Sequence, residues 1–193
     1  TPGYPDFISG AIGALNAVET AVVVISATSG IQVNTQKMWN IATEAGLARV
    51  IVITKMDGEN VDYPALLDSI QKTFGGECLP LMLPVGHGSE FKGVVDVFNL
   101  PDEVPDEVIG NVDSSREKLV EGIVSVCDTQ LEKYLEGQEI SNETLQGCFS
   151  TAIAAGSIVP VLCCNNKKEL GIESVVDVIA KFTPSPEKGL ACK

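Results

Sequence analysis

The sequence predicts an α/β fold, a parallel sheet flanked by helices, from three features of its 193 residues. Apolar, largely β-branched runs recur at Ala21-Val-Val-Val-Ile-Ser26, Val50-Ile-Val-Ile53 and Ile158-Val-Pro-Val-Leu-Cys163, as expected of strands buried on both faces. Segments with apolar residues at helical spacing alternate with them. Polar or glycine-containing turns separate the two kinds. Such alternation implies right-handed crossovers between parallel strands.

Taken in order, residues 7–19 read as a helix with Phe7, Ile8, Ala11, Ile12, Leu15 and Val18 on one face. The first strand run follows, then the turn Thr28-Ser-Gly30. Residues 34–45 form the next helix, with Met38, Trp39, Ile41 and Ala42 available to a core and Gly46 as its stop. The strand at 50–53 runs directly into Thr54-Lys-Met-Asp57. A helix over 62–74 carries Leu66, Leu67 and Ile70 and ends at Gly75-Gly76. The last strand run leads through a polar loop to a helix over 172–182. In such sheets ligands sit beyond the carboxyl ends of the strands, so the loops at 26–30, 54–57 and 163–168 should line one crevice.

Residues 79–156 break this rhythm. Two short strands, 79–85 and 93–98, flank Gly86-His87-Gly88, and an acidic, Pro-containing loop spans 99–111. Helices over 114–135 and 142–155 follow, the second capped by Ser141 or Asn142. The expected division is therefore core at 1–78, an inserted α+β subdomain at 79–156, and the last core strand and helix at 157–193.

Composition narrows the function classes. The net charge of −13 disfavours direct nucleic-acid binding, whose affinity comes largely from Lys and Arg. No apolar run approaches the roughly 20 residues of a membrane span. The six cysteines show no CxxC spacing and accompany a single histidine, so no metal site is expected; adjacent Cys163 and Cys164 read as strand residues. His87 lies in a Gly-His-Gly-Ser turn and reads as a loop residue. The acidic run 101–107 reads as a solvated loop. No nucleophile and base pair stands out, which argues against a small-molecule α/β enzyme. The opening Thr-Pro-Gly, without a Met, reads as an internal boundary of a longer protein.

Two motifs carry chemistry. In Thr54-Lys55-Met56-Asp57, a carboxylate at a strand's carboxyl end can accept two parallel hydrogen bonds from the N1 and N2 donors of guanine. Adenine offers no such pair, and an unpaired carboxylate penalises it. The stem of Lys55 can lie over the base while its ammonium stays in water. In Thr1-Pro2-Gly3, a glycine permits close approach of a backbone N–H to a terminal phosphate.

Together with the Ala21-Val-Val-Val strand and Gly30-Ile-Gln32, these motifs make the chain resemble elongation factor G over essentially its whole length. Thr1-Pro-Gly-Tyr-Pro-Asp-Phe7 matches that family's aspartate-Thr-Pro-Gly-His-x-Asp-Phe pattern from its threonine onward. Phe91-Lys-Gly-Val-Val-Asp96, Glu132-Lys-Tyr-Leu-Glu136 and Phe182-Thr-Pro-Ser-Pro186 resemble its inserted segment and closing helix. The resemblance implies a P-loop NTPase-type fold lacking its first strand and phosphate loop. It also implies a cytoplasmic, ribosome-associated parent that binds GTP or GDP with Mg²⁺ and couples hydrolysis to translocation. The inserted subdomain would face a ribosomal stalk protein.

Three positions depart from the family. Tyr4 replaces the histidine that orients the hydrolytic water, Thr54 replaces an Asn that ties loops together, and Asn165-Asn166 replace a Ser-Ala whose backbone meets the guanine oxygen. These departures make a nucleotide-silent or slow paralogue, acting as a protein-binding module on the ribosome, the alternative. No GxxxxGK[ST] occurs in the 193 residues. The stretch alone is therefore expected to hold no bound nucleotide and to be inactive.

Overall fold

Strand pairing follows the β-branched runs. In the computed structural model, which describes residues 8–138 and 140–185, β1 (Thr20–Ser26), β2 (Ala48–Thr54), β3 (Cys78–Pro80) and β6 (Val159–Cys163) form one parallel sheet in the order β1-β2-β6-β3. A separate antiparallel hairpin joins β4 (Met82–Val85) to β5 (Gly93–Asp96). The helices are α1 (Ile8–Leu15), α2 (Val33–Glu44), α3 (Tyr63–Phe74), α4 (Val112–Val124), α5 (Asp128–Leu135), α6 (Asn142–Ala154) and α7 (Ile172–Phe182). Side-chain caps fix several starts. Asp62 accepts from the N–H of Ala65 at 3.0 Å, Asn111 from Ser114 at 2.8 Å and Ser141 from Thr144 at 3.4 Å. Ser141, not Asn142, is thus the cap of α6.

Three expectations need correction. β1 is not covered on both faces, since Val22 is 42% and Val24 58% exposed. Among the described residues its only ladder partner is β2, and a groove of about 500 Å³ runs between β1, α1 and α2. The expected strand over 79–85 splits between two sheets. Leu81 still donates to Val161 in the main sheet, but its own carbonyl accepts from Val97 just after β5, and the Met82 carbonyl accepts from the Tyr63 hydroxyl at 3.1 Å and the Cys163 thiol at 3.6 Å. The expected helix over 114–135 breaks in two. Ser125 turns its hydroxyl back to the Gly122 carbonyl at 2.8 Å, and Cys127 is extended at φ −130° and ψ 92°. Asp128 then begins α5 with a carboxylate where a helix N-terminus favours one.

One contiguous apolar cluster takes in the main sheet, the hairpin and helices α3, α4, α6 and α7. Trp39 stacks on Phe74 with centroids 4.4 Å apart, and the Arg49 guanidinium lies 4.7 Å over the same indole. That buried cation also donates to Thr43 Oγ1 at 2.8 Å and to the Gly156 carbonyl at 3.4 Å. A cation so placed gains from the ring face and from each carbonyl or hydroxyl it meets.

Burial also silences most of the thiols. It pushes Cys78 up to about 12 and Cys148 up to about 11, and raises Cys163 and Cys164 as well. Alkylation proceeds through thiolate. N-ethylmaleimide at pH 7.5 should therefore leave Cys78, Cys163 and Cys164 unmodified in the folded chain and label them in urea, as read by peptide mass mapping. Labelling of Cys163 without unfolding would contradict the packing of β6. The sign for stability follows. Below the ordinary thiol value of 9.0 both states are protonated; above it the unfolded chain releases a proton that folded Cys78 keeps until about 12, so stability falls across that window.

Candidate functional site

Three parallel neighbours deliver three neighbouring loops. Ser26 is in register with Thr54, and Ile53 with Cys163. The ladder continues past the strand ends, since Ala27 donates to the Thr54 carbonyl and Cys164 to the Ile53 carbonyl, each at 2.9 Å. The loops after β1, β2 and β6 therefore leave the sheet side by side at its carboxyl edge, where α/β sheets place ligands.

The β2 loop is held from inside and strained at its surface. Met56 is 1% exposed and pins the loop to the core. Lys55 sits at φ +58°, a left-handed conformation that costs a side-chain-bearing residue about 1–2 kcal/mol. Such strain persists where the surroundings over-determine it, and it concentrates at functional sites. Gly58 closes the turn by donating to the Lys55 carbonyl at 3.1 Å. The Lys55 side chain is exposed, and the half-buried carboxylate of Asp57 has no hydrogen-bond partner among the described residues. An acceptor pair and a cationic stem are thus left free in one turn.

Thr54, at the end of β2, ties the loops only weakly. Its hydroxyl reaches the Ile25 carbonyl only at 3.5 Å, at the limit of a hydrogen bond. The tie is made elsewhere: by the Ala27 to Thr54 backbone bond, and by close packing of Gly58 on the β1 loop. A Cβ on Gly58 would collide with Thr28 Cγ2, so this position admits no side chain without a shift.

The β6 loop folds back on itself. Asn165 and Leu170 exchange both backbone hydrogen bonds, at 2.9 and 3.1 Å. The Asn165 side-chain oxygen accepts from the N–H groups of Lys167 and Lys168 at 2.9 and 3.3 Å. Asn165 is only 1% exposed, and its Nδ2 has no partner, whereas Asn166 is exposed. Glu169, at φ +56°, supplies a second strained residue in this loop. The free carboxylate of Asp57 suits a ligand that presents two parallel donors on one edge, as guanine does.

The expected phosphate-side residues Thr1, Pro2, Gly3 and Tyr4 lie outside the described residues. Among the described residues no cluster of three or more metal-ligating side chains occurs. No helix there is long and apolar enough to cross a membrane. Sequence reading missed the involvement of the β4–β5 hairpin. At the tip of β4–β5, Gly88 faces the loop after β2 and the Ser89 carbonyl accepts from Lys168 of the loop after β6. The clustered glycines at 86 and 88 were the available signal.

Two comparisons bear on this geometry. Residues 1–185 match the family described as elongation factor Tu GTP binding domain. A crystal structure of a protein from Thermus thermophilus superposes with a TM-score of 0.87 at 36% identity, covering 96% of this chain and 30% of that one. The chain thus spans less than a third of that relative's length. Both findings bear out the resemblance read from the sequence.

Proposed function

Because the chain belongs to the elongation factor Tu GTP binding domain family, we propose that it is the base-reading part of the nucleotide site in an elongation factor G-like translational GTPase. The observation that carries the reading is the free Asp57 carboxylate in a turn strained at Lys55, beside the buried Asn165. Asp57 would accept from N1 and N2 of guanine, Lys55 would cover the base, and the Asn165-Asn166 backbone would meet its 6-oxo group. When bound, GTP supplies the scissile phosphoanhydride; this chain's described residues select the base and exclude water from one edge of it.

In this reading Thr1, Pro2 and Gly3 approach the terminal phosphate, and Mg²⁺ is held with the phosphates by residues outside this stretch. The free backbone edge of β1, whose only ladder partner among the described residues is β2, supports a further strand there in the parent. Residues 79–156 are read as an inserted subdomain. Its carboxylates, among them Glu103, Asp106, Glu107, Glu117, Glu121 and Glu132, suit a basic or amphipathic protein surface such as a ribosomal stalk protein. The parent would act on the ribosome, in the cytoplasm, during translocation.

The test is equilibrium binding by the full-length protein, which should take GDP and reject ADP. Equal affinity for the two would end the proposal. The 193-residue chain alone should bind GDP weakly, because the phosphate loop and Mg²⁺ supply most of the affinity in such sites. A calorimetric Kd in the micromolar range or tighter would contradict that expectation.

Tyr4 supports slow hydrolysis. A phenol with an ordinary pKa of about 10 is a poorer proton acceptor at neutral pH than an imidazole. Positioned proton-transfer groups contribute roughly 10²- to 10⁴-fold. Tyr4→His in the full-length protein should therefore raise single-turnover hydrolysis on ribosomes. Equal rates would remove Tyr4 from the mechanism.

A further inference from the structure

The inserted hairpin is rooted beneath the base-side loops; its tip faces the β2 loop and is hydrogen-bonded to the β6 loop. At its root, the Met82 carbonyl accepts from Tyr63 at the start of α3 and from Cys163 at the end of β6, so β4 is fixed to both elements that flank the loops. At its tip, Gly86 (φ +72°) and Gly88 (φ +57°) bend the chain sharply. A Cβ on Gly86 would collide with the Glu90 carbonyl oxygen, so the bend requires glycine. Gly88 faces the β2 loop, where the nearest atom to a Cβ built on it is the Gly58 carbonyl oxygen at 3.5 Å. From the β6 loop, Lys168 extends to the tip and donates from Nζ to the Ser89 carbonyl at 2.9 Å. Behind it, Gly171 (φ +78°) packs where a Cβ would lie 3.2 Å from Val94 of β5.

From these contacts we infer that the hairpin tip is a brace for the guanine loops and that Lys168 is the positioning residue that fastens it. The argument is one of restraint. The β2 loop is anchored by Met56, but the β6 loop is exposed from Asn166 to Glu169 and is held mainly by its own hydrogen bonds. The Lys168 bond spans 79 residues of sequence and is the polar contact that ties this loop to the inserted segment. A base leaves when the loops that flank it part. Restraining one of them against a rigid hairpin slows that parting without adding any contact to the base. The effect should therefore appear in nucleotide release and not in association. The bond is solvent-exposed, so its contribution is that of one charge-assisted hydrogen bond at most.

This inference rests on the guanine-site reading above, and the experiment separates the two. Release of a fluorescent GDP analogue is followed by stopped flow in the full-length protein, with Lys168→Met, Lys168→Arg and Gly88→Ala beside the wild type. Lys168→Met keeps the aliphatic stem and removes the donor; it should speed release about five- to tenfold with association and melting temperature unchanged. Lys168→Arg should restore most of the wild-type rate. Gly88→Ala, which strains the tip, should speed release in the same direction. Release rates within twofold of wild type for both Lys168→Met and Gly88→Ala overturn the brace and leave the guanine site standing. Faster release accompanied by a matching fall in melting temperature and no rescue by Arg shows a merely structural role and also overturns it. Failure of the wild type to bind the analogue at all overturns the guanine-site reading and the brace together.

Discussion

Replacing Asp57 by Asn in the full-length protein is expected to weaken GDP binding roughly 10²- to 10⁴-fold and to move preference toward XDP. The Asp57 carboxylate is half-buried and unpartnered among the described residues, so its hydrogen-bonding capacity is available to a base. Two hydrogen bonds to a charged acceptor contribute about 1.5–3 kcal/mol each, and each 1.4 kcal/mol is tenfold in Kd. Asn keeps one acceptor and turns the other into a donor. Guanine then meets donor against donor at its 2-amino group, while xanthine offers a 2-oxo acceptor in that place and keeps N1–H. Loss of GDP with gain of XDP is thus a signature that general unfolding cannot imitate. GDP affinity within threefold of wild type would remove Asp57 from the site. Loss of both nucleotides together with a lower melting temperature would mark it as a structural residue.

Much of this site was legible because the sheet and the turn after β2 are local in sequence. A β-branched run followed immediately by Thr54-Lys-Met-Asp57 encodes both the strand and the loop it delivers. The same locality explains the close agreement for α2, α3 and α7, whose apolar periodicity lies within their own residues, with α3 also capped by the adjacent Asp62. What stayed hidden depends on contacts distant in sequence. Nothing near Lys168 signals that its ammonium reaches Ser89, and nothing near Leu81 signals that the chain leaves one sheet for another when Tyr63 and Cys163 claim the Met82 carbonyl. The exposure of Val22 and Val24 was equally illegible, because an apolar run reports that a strand wants cover but not whether a neighbour supplies it. Strain at Lys55 and Glu169 is likewise a property of the assembled loops, since neither residue type favours a positive φ.

Phe149→Ala should be among the most damaging single substitutions in the chain, costing about 3–5 kcal/mol. Phe149 is fully buried in α6 and lies at the centre of an aromatic trio. Its ring centroid is 5.4 Å from that of Phe98, just after β5, and 4.9 Å from that of Phe182 in α7, which themselves meet edge-on at 5.8 Å. Ring pairs at these separations add to the area they bury. The trio joins the segment after β5 and α6 to α7, so a cavity at Phe149 loosens both sides at once. Neighbouring Ala152 and Ile153 belong to the same buried face of α6, which is already packed on the sheet behind it, and this limits collapse into the void. For a domain of this size each kcal/mol lowers the melting temperature by about 2–4 °C, giving a fall of roughly 6–20 °C. Calorimetry of the 193-residue chain measures both the shift and its shape. A single transition displaced downward is expected, because the cluster that contains the trio also contains β2 and β6. Two separated transitions, with only one displaced, would show that α6 and α7 belong to units that unfold independently and that the trio does not couple them. A shift below about 3 °C would mean that the surrounding side chains close over the vacancy, contrary to the packing that places Phe98 and Phe182 against it.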